Sequence, residues 1–469
     1  MREEERKNLF ENASVARAIA KLAIPTMIGQ IIGVIYNMAD TFFVGQTGND
    51  AMLAAVTICM PAFMLLTAVS NLFGVGGASA VSRALGRKKC KRAGLCASFS
   101  FYGCLSATLL YSLCVLLFMD PFVDVLGGKH TDVHQLAREY LTVTVVIGGA
   151  ATSMNALIAH LLRSEGRSMH AAVGVVMGGV LNIVLDPLFM FVMLPPGKET
   201  LGAAIATALS NLCALSYYAI VLLRTNQNRT VLSFRPDLGA IADGIPTEIL
   251  SIGLPAFMMT TCENISFAVM DWLIAGHGLA YQAGIGVAKK VNMLAHCAVR
   301  GIAQGALPLI AYNSSAKNVK RMHSAIHITT GASVLLASVC MVFSLVFGKQ
   351  MVGCFIHTSP ADVYGVIYLR ILCIGCPFSA LAYTMISFFQ AVKQGKNSLL
   401  LALMRKGMLD IPLLFLLNVY FPPFGLAWAT PLADMACCLA AILFYTSYRK
   451  DHCVTEIIKP LHEIRAHVI

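Results

Sequence analysis

The chain has 469 residues, of which 57% are hydrophobic and only 13% are charged. A soluble protein of this length needs far more charge to cover its surface, so this composition excludes the soluble class. The net charge of +11 is compatible with nucleic-acid binding, but the bases fall in loops on one side of the predicted topology. We therefore expect a membrane protein without a nucleic-acid partner.

Apolar stretches of about 20 residues recur along the chain, and each is long enough to cross a ~30 Å hydrocarbon core. Helices are expected, because a span in lipid must satisfy its backbone hydrogen bonds internally. In chain order, the twelve predicted spans cover residues 18–44, 51–80, 94–118, 137–161, 170–193, 201–223, 248–276, 283–311, 324–347, 362–390, 398–419 and 424–447. The predicted fold class is an all-α membrane protein.

The longest polar interruption lies at the middle of the chain. It covers residues 224–247, contains Pro236 and Pro246, and is predicted to be a cytoplasmic linker. The linker separates an N-terminal six-helix lobe, residues 1–223, from a C-terminal six-helix lobe and tail, residues 248–469.

The two lobes carry the same landmarks at a nearly constant offset. Pro25 and Pro255 are 230 residues apart (255 − 25), and Gly166 and Gly395 are 229 apart (395 − 166). A repeat with an even number of spans enters the membrane from the same side in both copies. We therefore expect two six-helix bundles related by a pseudo-two-fold axis along the membrane normal, with a central site between them.

Basic residues concentrate in the loops of one side. They include Arg6, Lys7, Arg17 and Lys21 before or at the start of the first span, Arg83, Arg87, Lys88, Lys89, Lys91 and Arg92 between spans 2 and 3, Arg163 and Arg167 between spans 4 and 5, Lys317, Lys320 and Arg321 between spans 8 and 9, and Lys393 and Lys396 between spans 10 and 11. The positive-inside rule predicts a multi-pass protein of a bacterial-type inner (cell) membrane with both termini in the cytoplasm.

Three carboxylates stand out among the acids inside predicted spans, where a charge costs ~2.5–3.5 kcal/mol and usually marks function. Asp40 is in the first span, Asp186 in the fifth and Glu263 in the seventh, next to Asn264. Asn182 precedes Asp186 by four residues, so both project from one face of their helix.

Two interpretations of these carboxylates are open. In the functional one, Asp40, Asn182 and Asp186 converge on a pocket, where their carboxylates exchange protons near neutral pH or, with Thr207, bind a small hard cation such as Na⁺. In the other, the acids cap helix ends or pair with buried bases. Lys289, Lys290 and Arg300 are the candidate partners for Glu263, and Arg405 and Lys406 are those for Asp410.

Several landmarks together resemble the multidrug and toxic compound extrusion family, within the wider multidrug/oligosaccharidyl-lipid/polysaccharide exporter superfamily. The landmarks are Pro25, the run Tyr36 to Gly45, Gly86 with the basic loop after it, Leu181 to Pro187, and Gln304 with Pro308. The resemblance covers nearly the whole chain and implies twelve helices in two lobes around a central cavity. It also implies export of organic cationic, lipophilic compounds in exchange for H⁺ or Na⁺.

The resemblance also implies roles for individual residues. Asp40, Asn182, Asp186 and Thr207 would form the coupling-ion site of the first lobe, and this set is similar to the DNA-damage-inducible branch. The residues implied or predicted to line the cavity are Tyr36, Asn37, Tyr140, Asn155, Glu263 and Asn264. Glu263 matches a branch with a second-lobe sodium site, but the tenth-span acid of that branch has no counterpart between Pro377 and Thr384.

Two alternatives accompany this hypothesis. A lipid-linked oligosaccharide flippase of the same superfamily should carry several cations in its cavity for pyrophosphate, whereas this chain has acids in its first-lobe spans. A membrane-embedded enzyme should show a nucleophile–base motif or a metal cluster, and the sequence contains neither. We expect a monomeric transporter that contacts small organic cations and membrane lipid and uses no cofactor besides its coupling ion.

Overall fold

A computed structural model describes residues 3–128, 131–225, 230–241, 243–356 and 360–466, and the regular structure within these ranges is helical. Twelve long helical segments follow one another. They are α1 (Val15–Gln46), α2 (Asp50–Gly86), α3 (Cys90–Leu117), α4 (Asp132–Ile147 with Gly149–Ser164), α5 (Ser168–Met193), α6 (Glu199–Arg224), α7 (Ile245–Ala275), α8 (Leu279–Ser315), α9 (Val319–Gly353), α10 (Ala361–Ile374 with Cys376–Ala391), α11 (Gly395–Leu403, Met404–Met408 and Asp410–Tyr420) and α12 (Gly425–Ala466).

The observed segments agree with the predicted spans. Within the described ranges, nine helices are long and apolar enough to cross a membrane, and eleven spans result when α4 and α10 are each counted as one bent span. The remaining segment, α11, carries Arg405, Lys406 and Asp410 near its middle, so its apolar stretches are shorter.

The two bent helices break at equivalent glycines. The halves of α4 meet at 48° around Gly148, and those of α10 meet at 44° around Gly375. A Cβ on Gly148 would lie 2.9 Å from the Cβ of Ala208, and a Cβ on Gly375 would lie 3.1 Å from the Cα of Pro431. The missing side chain at each bend therefore permits close packing against a neighbouring helix of the same lobe.

The two halves of the chain meet at two close helix contacts that the repeat relates to each other. In the first, α2 packs on α7, and a Cβ on Gly76 would lie 2.2 Å from the carbonyl oxygen of Ile249. In the second, α8 packs on α1, and a Cβ on Gly305 would lie 2.5 Å from the Cα of Ala23. The glycines are 229 residues apart (305 − 76), which matches the offset found in the sequence. Absence of a side chain at these positions lets the backbones touch.

The hydrophobic core is shared at one end of the molecule and divided at the other. Near the basic loops, one cluster contains residues of both halves, such as Leu85 and Ile249. At the opposite end, one cluster contains only first-half residues, including Val44, and another contains only second-half residues, including Met270 and Ile285. The halves are therefore joined at the basic end and pack separately at the other.

Three arginines that we assigned to loops are in fact buried. Arg83, Arg163 and Arg167 are only 3%, 6% and 8% exposed, because they lie in or beside the last turns of α2 and α4 and fold back into the protein. Their contribution to the charge of the loop surface is correspondingly smaller than the sequence suggested.

Candidate ion and substrate site

The structure brings together the four residues predicted to hold the coupling ion. Asp40 lies on α1, Asn182 and Asp186 lie on one face of α5, and Thr207 lies on α6; their exposed fractions are 6%, 1%, 0% and 6%. The side-chain amide of Asn182 donates to Oδ1 of Asp186 (3.1 Å) and to the hydroxyl of Thr207 (3.3 Å). Asp40 is close enough to Asp186 for their carboxyl groups to interact electrostatically.

This cluster is rich in acceptors and poor in donors. Oδ1 of Asp40, Oδ1 of Asn182 and Oδ2 of Asp186 are buried without a hydrogen-bond partner among the described residues. Within the same ranges, neither carboxylate has a base within 4 Å; the basic group that acts on Asp40 at longer range is Lys290 of the second lobe. Buried oxygens without donors are the chemistry that takes up a proton or a small hard cation.

The predicted lining residues divide into two groups. Tyr36 and Asn155 border a cavity of about 190 Å³ between the lobes, and the amide of Asn155 donates to Asn211 at 2.9 Å. Tyr140 is only 4% exposed and instead lies in the first-lobe core, where it interacts electrostatically with Asp40. The amide of Asn37 donates to the carbonyl oxygen of Gly33 on its own helix, and Asn37 does not border this cavity.

The central cavity lies between the ion cluster of the first lobe and the helices of the second lobe. Asn182 borders the cavity and also bonds Asp186, so it joins the cavity wall to the carboxylates. Asp40 and Asp186 do not themselves border it. Its charged walls are instead Arg163 of the first lobe and Arg300 of the second.

Glu263 is held in an ion pair, as the second interpretation of the buried acids proposed. Its Oε2 accepts from Arg300 at 2.6 Å, and the hydroxyl of Tyr383 is 3.4 Å from Oε1. Glu263 borders a smaller cavity of about 70 Å³ in the second lobe, whereas the neighbouring Asn264 borders neither cavity. The predicted contribution of Glu263 to the lining is therefore found at this second cavity.

Further ion pairs fill the second lobe. Lys406 bonds Asp410 at 3.0 Å, as its position four residues earlier predicted, but Arg405 pairs with Asp434 of α12 at 2.7 Å. The ring of Tyr383 lies 4.0 Å below the guanidinium of Arg405. A sequence pattern does not reveal this stack, because its members come from three helices whose relative rotation is set by packing.

Several polar cavity residues were not identified as such from the sequence, among them His160, Arg163 and Asn211. Arg163 contacts Nδ1 of His160 at 3.2 Å, and both border the central cavity. Their spacing of three residues places them on one helix face, which is the signal that was available. Asn211 lies four residues after Thr207 and bonds its carbonyl oxygen at 2.9 Å, so the same rule applies.

Comparison with known proteins gives consistent results over nearly the whole chain. Multidrug export protein MepA of Staphylococcus saprophyticus is 28% identical over 436 residues, which cover 92% of this chain and 94% of the relative. MepA of Staphylococcus aureus is 29% identical over 434 residues, with the same coverage. A crystal structure of a MATE protein in complex with MaL6 is 25% identical and superposes with a TM-score of 0.82 over 94% of this chain and 97% of that one.

A further solved structure, an outward-facing multidrug resistance MATE family transporter of the MOP superfamily, has a TM-score of 0.84 at 24% identity and covers 95% of this chain and 97% of that one. These likenesses confirm the predicted twelve-helix, two-bundle fold. The MatE family profile matches the chain twice, at residues 25–188 and 255–416, so the starts are 230 residues apart (255 − 25), as the internal repeat predicted. The chain is a multi-pass membrane protein that belongs to the MatE family of transporters.

Proposed function

We propose that this protein is a multidrug efflux antiporter that exports organic cationic and lipophilic compounds in exchange for a cation, H⁺ or Na⁺. The names of its MepA relatives support the export of multiple drugs. The observation that carries the coupling is the buried pair Asp40 and Asp186, which has unpartnered oxygens and no base within 4 Å among the described residues.

The ion gradient supplies the work of export. Exchange of one coupling ion for one monovalent cation moves no net charge, so its work comes from the concentration gradient of the ion. Where more ions enter than cargo charges leave, each net charge moved through 100 mV adds about 2.3 kcal/mol, which is enough to drive a roughly 50-fold concentration of cargo. Binding of ion and cargo must disfavour each other, so that loading one releases the other. Asn182 is placed to transmit this effect, because its amide bonds Asp186 and its side chain borders the central cavity.

H⁺ is our proposed coupling ion, with Na⁺ competing for the same oxygens. Two nearby carboxylates titrate as a pair, and the first proton removes the repulsion between them. Asp40, Asn182, Asp186 and Thr207 also offer several oxygens to a sodium ion, so the two cations exclude each other at one site.

Transport proceeds by alternating access of the two lobes. The shared core at the basic end and the separate cores at the opposite end support a state open on the side away from the basic loops. With those loops in the cytoplasm, this is the outward-open state, and the opposite state requires the contacts at the basic end to separate.

The test is transport in proteoliposomes under separately imposed H⁺ and Na⁺ gradients. A pH gradient without sodium should drive a cationic dye, and a protonophore should stop it. Asp40→Asn keeps the size of the side chain and removes its titratable charge, so gradient-driven transport should disappear. Asp124→Asn is the matched control, because Asp124 is 53% exposed near a loop and should be dispensable.

Transport that does not respond to the pH gradient but follows the Na⁺ gradient would reject proton coupling, and the proposal of a cation-coupled antiporter would stand. Normal export by Asp40→Asn would reject the first-lobe site. The lipid-linked oligosaccharide flippase is the second candidate, because Arg163 and Arg300 do put cations on the cavity wall. It predicts gradient-independent movement of a lipid-linked sugar and no dye export, which the same vesicles can measure.

A further inference from the structure

Basic side chains dominate the small second-lobe cavity. Lys289 and Arg300 of α8 and Arg405 and Lys406 of α11 border it, whereas Glu263 is the one acidic residue among its described wall residues. This cavity adjoins the central one, because Arg300 and Gln30 border both. At about 70 Å³ this cavity has room for a single small group. Pockets for whole drug-sized molecules measure about 300 Å³ or more, so the rest of such a molecule must extend through the central cavity of about 190 Å³ and into the opening beyond it.

The acids that pair with three of these bases do not line the cavity. Asp271, Asp410 and Asp434 pair with Lys289, Lys406 and Arg405, but none of the three borders the cavity. The surface that a ligand would meet is therefore more basic than the count of ion pairs suggests.

Arg405 has the donors that such a surface needs. It is fully buried, and its only hydrogen bond among the described residues runs from Nε to Asp434, so Nη1 and Nη2 have no acceptor. A buried N–H without a partner is unfavourable, and native proteins seldom leave two on one guanidinium. The ring of Tyr383, 4.0 Å away, fixes the plane of the guanidinium and so the direction of these donors.

We propose that the second-lobe cavity binds the carboxylate of an amphoteric cargo, with Arg405 as the residue that recognises it. A planar carboxylate matches the two Nη donors of an arginine, and the charge assists both hydrogen bonds. The remaining, lipophilic and cationic part of the cargo lies in the adjoining central cavity. This inference rests on the proposed export function and assigns a place and a residue, Arg405, to the carboxyl group of a zwitterionic cargo.

The alternative is that the bases and acids form a fixed network that only holds the helices together. That network would bind no anion and would not distinguish an acidic ligand from its ester. An inorganic anion is a further possible occupant, and it would compete as well as an organic carboxylate.

The experiment compares two dyes that differ only at the carboxyl group: a zwitterionic rhodamine with a free carboxyl group and its methyl ester. Their binding to the full-length protein in lipid nanodiscs is measured by fluorescence anisotropy, with benzoate, benzamide and inorganic phosphate as competitors. We expect the acid to bind about tenfold or more tighter than the ester, since the ester cannot accept charge-assisted bonds. Benzoate should displace the acid, and benzamide and phosphate should not.

Arg405→Lys keeps the positive charge for Asp434 and removes the two-donor fork. It should abolish the preference for the acid and leave affinity for the ester unchanged. Arg138→Lys, an exposed arginine paired with Asp120 at the protein surface, should change neither affinity.

Equal binding of acid and ester by the wild-type protein would overturn the proposal, whether or not the variant folds. Displacement by phosphate as readily as by benzoate would also overturn it, in favour of an inorganic anion. Gradient-driven export of the ester without any preference for the acid would reject the carboxylate site and leave the proposed export function standing. Absence of gradient-driven export of either dye would contradict the proposed function itself.

Discussion

The two halves are bridged at their basic end by one carboxylate. Glu248 of α7 accepts from Nη2 of Arg83 at 3.0 Å and from Nη2 of Arg92 at 2.9 Å, and both arginines belong to the first half. If the halves separate at this end during transport, these bonds must break. We expect Glu248→Gln to shift the protein toward the state that is open on the side of the basic loops.

The size of the shift follows from the geometry. The amide can keep its oxygen toward Arg83, but its NH₂ group then faces the donor of Arg92. The Arg83 pair is buried, with side chains 4% and 9% exposed, whereas Arg92 is 28% exposed and its bond is partly screened. Hydrogen bonds to charged groups contribute roughly 1.5–3 kcal/mol, so a net loss of about 2 kcal/mol is expected. This corresponds to about a 30-fold change in the equilibrium between the two states.

Distances between paired spin labels can measure this equilibrium. One pair joins Lys89 and Lys396 at the basic end, and the other joins Asp50 and Leu279 at the opposite end; all four positions are exposed. Labels attached through noncanonical amino acids avoid the fifteen cysteines of the chain. In Glu248→Gln the first distance should lengthen and the second should shorten.

The matched control is Glu139→Gln, because Glu139 pairs with Lys198 at 2.6 Å within the first half and bridges nothing between the halves. Unchanged distance distributions in Glu248→Gln, in a variant that remains monodisperse, would refute the assignment of this bridge to the conformational change.

Two further predictions concern packing and topology. Gly253→Ala should lower the unfolding temperature or the folded yield, because a Cβ there would lie 1.7 Å from the carbonyl oxygen of Leu72. Gly33→Ala should be tolerated, because no atom of the described residues lies within 4 Å of its added Cβ. Equal effects of the two substitutions would contradict the close contact of α2 with α7. A cysteine at Lys89 should resist impermeant labelling from outside intact cells, and efficient labelling would reverse the predicted orientation.

The fold was predictable from the sequence because its signals are local. Apolar length located the spans, and a repeated offset between landmarks such as Pro25 and Pro255 located the two halves. The contact between Asn182 and Asp186 was also local, since four residues separate them on a helix. The position of Thr207 was implied by the family resemblance, because nothing in the spacing alone brings α6 against α5.

The second lobe was less predictable for a physical reason. Its ion pairs join residues on different helices and depend on how each helix is rotated. Arg300 is the partner of Glu263 among the three candidates that the sequence offered. Arg405, by contrast, pairs with Asp434, which the sequence did not suggest. Arg163 illustrates a second limit of the sequence. A base near the end of a span can lie in solvent or fold back into the bundle, as Arg163 does, and the number of basic residues in a loop does not distinguish the two cases. Local patterns therefore identify which charges are unusual and which of them meet within one helix, but they do not single out the pairs that form between helices.

The repeat offers an internal comparison for the ion site. Asn182 and Thr207 of the first lobe match Asp410 and Thr430 of the second at offsets of 228 (410 − 182) and 223 (430 − 207). Both pairs are in contact, at 3.3 Å in the first lobe and 3.0 Å in the second. In the second lobe, the ammonium group of Lys406 bonds Asp410 at 3.0 Å and Thr430 at 3.4 Å. The chain thus supplies its own cation at the position where the first lobe would bind one from solution.

This comparison predicts that removal of the tethered cation creates a dependence on an external one. Lys406→Met keeps the length of the side chain and leaves the carboxylate of Asp410 buried without a counterion, which is unfavourable by roughly 3–5 kcal/mol unless another cation is bound. The unfolding temperature of Lys406→Met should therefore rise with NaCl more steeply than with choline chloride at equal ionic strength. The experiment is made in an Asp40→Asn background, so that the first-lobe site does not contribute. Lys289→Met is the control, because its partner Asp271 is 49% exposed and remains solvated. If Na⁺ and choline act alike on Lys406→Met, the second-lobe cluster is not a counterpart of the ion site, and the comparison between the lobes gives no support to cation binding in the first.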